Sequence, residues 1–112
     1  MNVQDVVNQL GLQVFSGEEG LSTQIKGGYT SDLLSDVMGH ADAGYVWITL
    51  QAHKNVMAIA SLKELAAIIL VKGITPDADT LELSKQEGIP ILGTVEEAFE
   101  ISGRLYALVA VQ

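Results

Sequence analysis

AAIILVKGITPDADTLELSKQEGIPIL, residues Ala66 to Leu92, carries the pattern of a parallel α/β unit. It opens with Ala66–Val71, a short apolar run without alternation, as in a strand buried on both faces of a parallel sheet. Thr75-Pro76 marks a helix start, with proline at the first helical position, where its missing N–H leaves no bond unmade. That helix is expected to run to about Glu87 and to stop at Gly88. Ile89–Leu92 then reads as a second short buried strand. Strand, helix and strand at this spacing imply adjacent parallel strands joined by a right-handed crossover.

Downstream, Thr94-Val95-Glu96-Glu97 has the form of a capping box opening a last helix. The closing run LYALVAV, Leu105–Val111, is apolar enough for either a helix or a strand. Upstream, Tyr45–Leu50 (YVWITL) is β-branched and aromatic, a strand by propensity. Asn55–Leu65 fits one helix, although Ser61-Leu62-Lys63-Glu64 could cap a second. Thr30 or Ser31 caps a helix with Asp32 in its first turn and Leu33, Leu34, Val37 and Met38 as its apolar face. Lys26-Gly27-Gly28-Tyr29 before it reads as a flexible corner. Leu12–Phe15 and Leu21–Ile25 read as short strands around the turn-like SGEEG, and Val3–Leu10 as an amphipathic helix ended by Gly11. The expected fold is α/β: one domain over residues 1–112, a two-layer or three-layer sandwich around a mostly parallel sheet.

Composition narrows the function classes. The net charge is −8, from 14 acidic and 6 basic residues. The six cations are scattered singly, whereas phosphate backbones and anionic membranes require clusters, so neither nucleic acid nor membrane is an expected partner. No cysteine is present, which excludes disulfides, thiolate nucleophiles and zinc–thiolate sites and suits a reducing cytoplasm. MNVQDVVNQLG has no basic n-region and no long apolar core, so it does not read as a signal peptide. Only 18% of residues are charged against 48% hydrophobic. That balance, with the apolar LYALVAV, points to a homodimer.

Few residues form a recognisable chemical constellation. Asp36 and His40 are four apart on an expected helix, with Asp42 near, but one carboxylate–histidine pair is common on solvated helices, and no metal or other cofactor is expected. Glu96, Glu97 and Glu100, and likewise Asp77, Asp79 and Glu82, read as solvated faces, so no catalytic residue is assigned. Trp47, the only tryptophan, lies mid-strand and reads as core or interface. The ligand-binding candidates are Gly27, Gly28, Ser31 and Asp32 on one side and Gln51 and His53 on the other. Glycines let backbone approach a ligand, a helix start offers unpaired N–H groups, and open α/β sheets bind beyond their strands' carboxyl ends. The glycines lack both the GxxxxGK[ST] and the GxGxxG spacing, and a plain turn is the alternative.

GYTSDLLSDVMG (Gly28–Gly39) and the run from Gly44 to Thr94, above all WITLQAH and IILVKGITPD…GIPILGT, resemble the DRTGG-domain family over roughly residues 21–112. That family is similar to the N-terminal domain of HPr kinase/phosphorylase and is also found beside CBS domains in pyrophosphatases. The literal DRTGG is absent; Ser35-Asp36-Val37-Met38-Gly39 is its nearest match, without arginine. There is no P-loop, CBS or pyrophosphatase segment, so no kinase or hydrolase activity is carried over. The resemblance implies an α/β sandwich, frequent dimers and a regulatory role. The resulting expectation is a non-enzymatic sensor that binds a small anionic or nucleotide-like ligand and a partner protein. A purely structural interaction subunit, of the kind associated with redox or hydrogenase systems, and an uncharacterised enzyme are the alternatives.

Overall fold

A computed structural model describes residues 1–111. Its centre is a five-stranded sheet in the order β1-β5-β4-β3-β2, formed by β1 Gln13–Ser16, β2 Gly27–Thr30, β3 Tyr45–Thr49, β4 Ala67–Leu70 and β5 Ile91–Gly93. Strands β2 to β5 are parallel, each beside its neighbour in sequence, and β1 closes the far side antiparallel to β5, with Gln13 opposite Gly93. The pairing of Ile68 with Ile91 matches the parallel arrangement expected for these two segments.

Strand order dictates the layers. Parallel strands added in one direction with right-handed crossovers put every connecting helix on one face. Accordingly α2 (Leu34–His40), α3 (Asn55–Leu62) and α4 (Ala78–Glu87) share a face and pack on Trp47, Ile68, Leu70 and Ile91. The helix after β5, α5 (Ala98–Val109), returns over the opposite face beside α1 (Val3–Leu10), covering Val46, Ile48, Ile69 and Leu92. Successive strand residues feed opposite cores, as the period of two requires. The result is a three-layer sandwich.

Local chemistry sets the ends. Asn2 Oδ1 accepts from Asp5 N–H and Asp5 Oδ2 from Asn2 N–H, both at 2.9 Å, a reciprocal cap on α1, which Gly11 ends in the left-handed conformation. Gly88 does the same for α4.

Five expectations differ in the structure. Gly27–Thr30 is strand β2, not a flexible corner, because two neighbouring side chains occupy the space beside its glycines, as described below. Leu21–Ile25 forms no strand; only Gln24 makes a bridge, to Asn2. Helix α4 begins at Ala78, leaving Pro76 ahead of it, and α2 begins at Leu34, with Leu33 64% exposed and only Val37 buried. The capping box at Thr94 does not close; Thr94 Oγ1 takes the Glu96 N–H instead, and α5 starts at Ala98.

Candidate functional site

The residues singled out from the sequence lie at two ends of the sheet. Ser31, Asp32 and Gln51 meet just beyond the carboxyl ends of β2 and β3, where they bond one another. Asp32 Oδ1 accepts from Thr49 Oγ1 at 2.9 Å and from the Leu50 N–H at 2.8 Å. Gln51 Nε2 donates to the Asp32 carbonyl at 2.9 Å, and the buried Trp47 indole donates to the Ser31 carbonyl at 2.8 Å. Ser31 Oγ accepts from the Leu33 N–H at 3.1 Å. These bonds clasp the loop after the edge strand to its neighbour. His53 is turned towards α4, its Nδ1 2.8 Å from Asp77 Oδ2.

Gly27 and Gly28 belong instead to β2 itself. A Cβ on Gly27 would lie 2.7 Å from Cε1 of Tyr45, and one on Gly28 would lie 3.0 Å from Cδ2 of Leu105. Their bareness admits those two side chains.

Asp36, near the clasp, is held below the usual carboxylate range by the Ser31 and Tyr29 hydroxyls and the neighbouring His40. Tyr29 Oη lies 2.9 Å from Asp36 Oδ2, and this bond raises the phenol's pKa. The Tyr29 and His40 rings stack with centroids 6.4 Å apart. Asp42 does not join them, and among the described residues no three His, Asp or Glu side chains are placed to hold a metal.

A wide concavity lies elsewhere, between α5 and the edge of the sheet. It encloses about 900 Å³ and is bounded by Gly28, Thr30 and Ile48 on the strands and Phe99, Leu105 and Tyr106 on the helix. Phe99 is 90% and Tyr106 74% exposed, one above the other at i and i+7. Thr30 and Ser102 hydroxyls, 2.7 Å apart, cross from strand to helix, and Arg104 pairs with Glu96 at the rim. Among the described residues, strand β2 pairs on one side only, so alternate backbone groups along its other edge have no strand partner. Phe99 was not singled out from sequence, although Phe99 and Tyr106 show the spacing of a helix face.

The crystal structure of the CBS and DRTGG domains of the regulatory region of Clostridium perfringens pyrophosphatase, complexed with the activator diadenosine tetraphosphate, superposes with a TM-score of 0.75 over 93% of this chain. The fold is DRTGG-like. Sequence identity is 18%, and the chain spans 45% of that protein's length, so the likeness is one of architecture. No family model and no curated protein matches the sequence. Among the described residues, no helix of this DRTGG-like domain is long and apolar enough to cross a membrane.

Proposed function

We propose that the chain is a non-catalytic regulatory module that responds to a small ligand and transmits the response through a homodimer formed by α5 and the edge strand β2. The observation that carries the reading is the pair of exposed rings, Phe99 and Tyr106, over an apolar groove beside an unpaired sheet edge. Aromatic side chains left in water on one helix face mark an association surface. Ser102 and Gly103 separate the rings, and a Cβ on Gly103 would meet nothing within 4 Å, so a second helix can approach closely. A two-fold axis passing between these two residues sets Phe99 of each copy against Tyr106 of the other, an isologous contact.

The regulatory part has different support. The pyrophosphatase region that shares the fold is regulatory and holds a dinucleotide activator. In this chain the polar groups at the ends of β2 and β3 bond one another, as expected of a scaffold more than of a reaction centre.

Light scattering across the micromolar range tests the dimer. The wild-type chain is expected to run as a dimer, and Phe99→Ser with Tyr106→Ser as a folded monomer, each truncation removing about 2 kcal/mol of contact. A wild-type monomer at high micromolar concentration refutes it. A thermal-shift screen with nucleosides and nucleotides tests the ligand: a compound at about a hundred times its Kd adds about 2.7 kcal/mol. A dimer with no shift from any compound would identify an interaction subunit instead.

A further inference from the structure

The connections leaving the strands diverge at one place. Helices α3 and α4, after β3 and β4, lie on the same face, so their loops run side by side. Helix α5, after β5, crosses to the opposite face. Between the carboxyl ends of β4 and β5 the chain therefore parts to either side of the sheet, and such a divergence opens a crevice where α/β sheets take ligands.

The structure has a cleft there of about 410 Å³, within the range of small-molecule sites, roughly 300–1,000 Å³. Gly73, Ile74 and Thr75 line it from the β4 loop, Thr94 from the β5 loop, and Gln13 and Phe15 from β1. Its walls are fixed. Lys72 and Gly73 are both left-handed, at φ 58° and 71°, and their N–H groups donate to the carbonyls of Glu96 and Thr94, each at 2.9 Å. A lysine held in that conformation is uncommon and carries strain. The Phe15 ring sits directly on Gly93, so close that a Cβ there would lie 2.4 Å from Cε2.

The lining also defines the chemistry. It contains no Lys, Arg or His, and its one carboxylate, Glu96, is bonded to Arg104. A phosphate would find no cation in the lining, and the nearby Lys72 is paired with Glu97, in a chain of net charge −8. Among the described residues, the Gln13 carboxamide and the Thr75 hydroxyl make no side-chain hydrogen bond, leaving donors and acceptors free beside an aromatic wall. We infer that the crevice between β4 and β5 binds a nucleobase-like group, a planar, uncharged ring with a hydrogen-bonding edge, read by Gln13 and Thr75 against Phe15. This rests on the ligand-responsive reading above and gives it a site and a ligand class.

The test is amide chemical-shift mapping of the full chain with adenosine, and separately with inorganic pyrophosphate. Adenosine is expected to shift Gly73, Thr75, Thr94 and Phe15 saturably, with pyrophosphate leaving them in place. Gln13→Ala and Thr75→Val, both at exposed positions, are each expected to weaken adenosine binding about fivefold. Adenosine shifts clustered away from the crevice, or unchanged binding in both variants, overturn the site and leave the regulatory reading intact. Pyrophosphate shifts at the crevice overturn the ligand class. No adenosine shift at millimolar concentration overturns the inference outright, and the dimer measurement is unaffected by any of these results.

Discussion

The Asp32 carboxylate reaches from the end of β2 to the Thr49 hydroxyl at the end of β3, 2.9 Å away, and takes the Leu50 N–H as well. One side chain thus closes the open end of the sheet's last strand pair. Asp32→Ala should cost about 1–2 kcal/mol, since hydrogen bonds to a charged acceptor are stronger than neutral ones but this group is partly in water. Asp32→Asn should cost less, because it keeps one acceptor oxygen. Urea unfolding followed by the fluorescence of Trp47, the sole tryptophan, measures both.

The buried hydroxyls Ser16 and Ser84 predict an asymmetry. Ser16 Oγ donates to Ser84 Oγ at 2.8 Å, and Ser84 Oγ donates to the Ile89 carbonyl at 2.6 Å. Ser16→Ala leaves Ser84 with its own acceptor and should cost about 1 kcal/mol. Ser84→Ala strands both the Ser16 donor and the Ile89 carbonyl and should cost about 2–3 kcal/mol. Equal losses on thermal denaturation would contradict this direction of donation.

Gly17 should tolerate no side chain. At φ 75° it is left-handed, and a Cβ would lie 2.5 Å from the Ile89 carbonyl oxygen, which is backbone and cannot swing aside. Gly17→Ala should therefore lose about 3 kcal/mol or more, well beyond the cost of the left-handed conformation alone, about 1 kcal/mol. Gly11→Ala, left-handed at φ 66° but with nothing within 4 Å, should lose only that smaller amount. Comparing the two unfolding midpoints separates strain from overlap.

Stability should fall at both extremes of pH through Tyr29 and Asp36. Asp36 is more acidic folded than unfolded, so its contribution is present above its ordinary value of 3.8 and is lost as the pH falls from there through the folded value. Tyr29 is shifted upward, chiefly by its bond to Asp36, so its contribution is complete below 10.0 and is lost as the pH rises through the folded value. Tyr29→Phe should remove the alkaline loss and shrink the acid one. Denaturant midpoints of both chains across the acid and alkaline ranges test the sign.

The proposed dimer should tighten as salt is added. Two copies at −8 each repel, and salt screens that repulsion while apolar contact between Phe99 and Tyr106 persists. Sedimentation equilibrium at low and high ionic strength measures it; a dimer that salt dissociates would have to be held by ion pairs.

Much of the fold was legible because its signals are local. The apolar face of Val3–Leu10 and Gly11 after it mark α1, Gly88 ends α4, and the runs at Ala66 and Ile89 are apolar on both faces because helices cover both. Strand β2 was hidden because its first two residues are glycines, whose strand role comes from Tyr45 and Leu105, distant in sequence. The same two glycines ahead of a helix mimic a phosphate loop, which drew the site reading towards them. At Thr94 and Pro76 short-range capping patterns lost to the loops that bind β4 to β5 and α4 to Ala52. The crevice between β4 and β5 depends on which face each helix takes, and no single segment encodes that.

The antiparallel partnership of Gln13 with Gly93 has a consequence for how the chain is made. The parallel strands each pair with the strand next to them in the chain, so they can be added one after another as synthesis proceeds. Of the five strands β1 is made first, yet its partner β5 is made last. On a ribosome adding about 5–20 residues each second, β1 waits several seconds for β5 to be made, while α1 is tied early to residues 21–25 through Val3 N–H to the Thr23 carbonyl and Gln4 N–H to the Leu21 carbonyl. The unpaired edges of β1 are thus open to other strands during that interval, and pairing with β5 closes one of them.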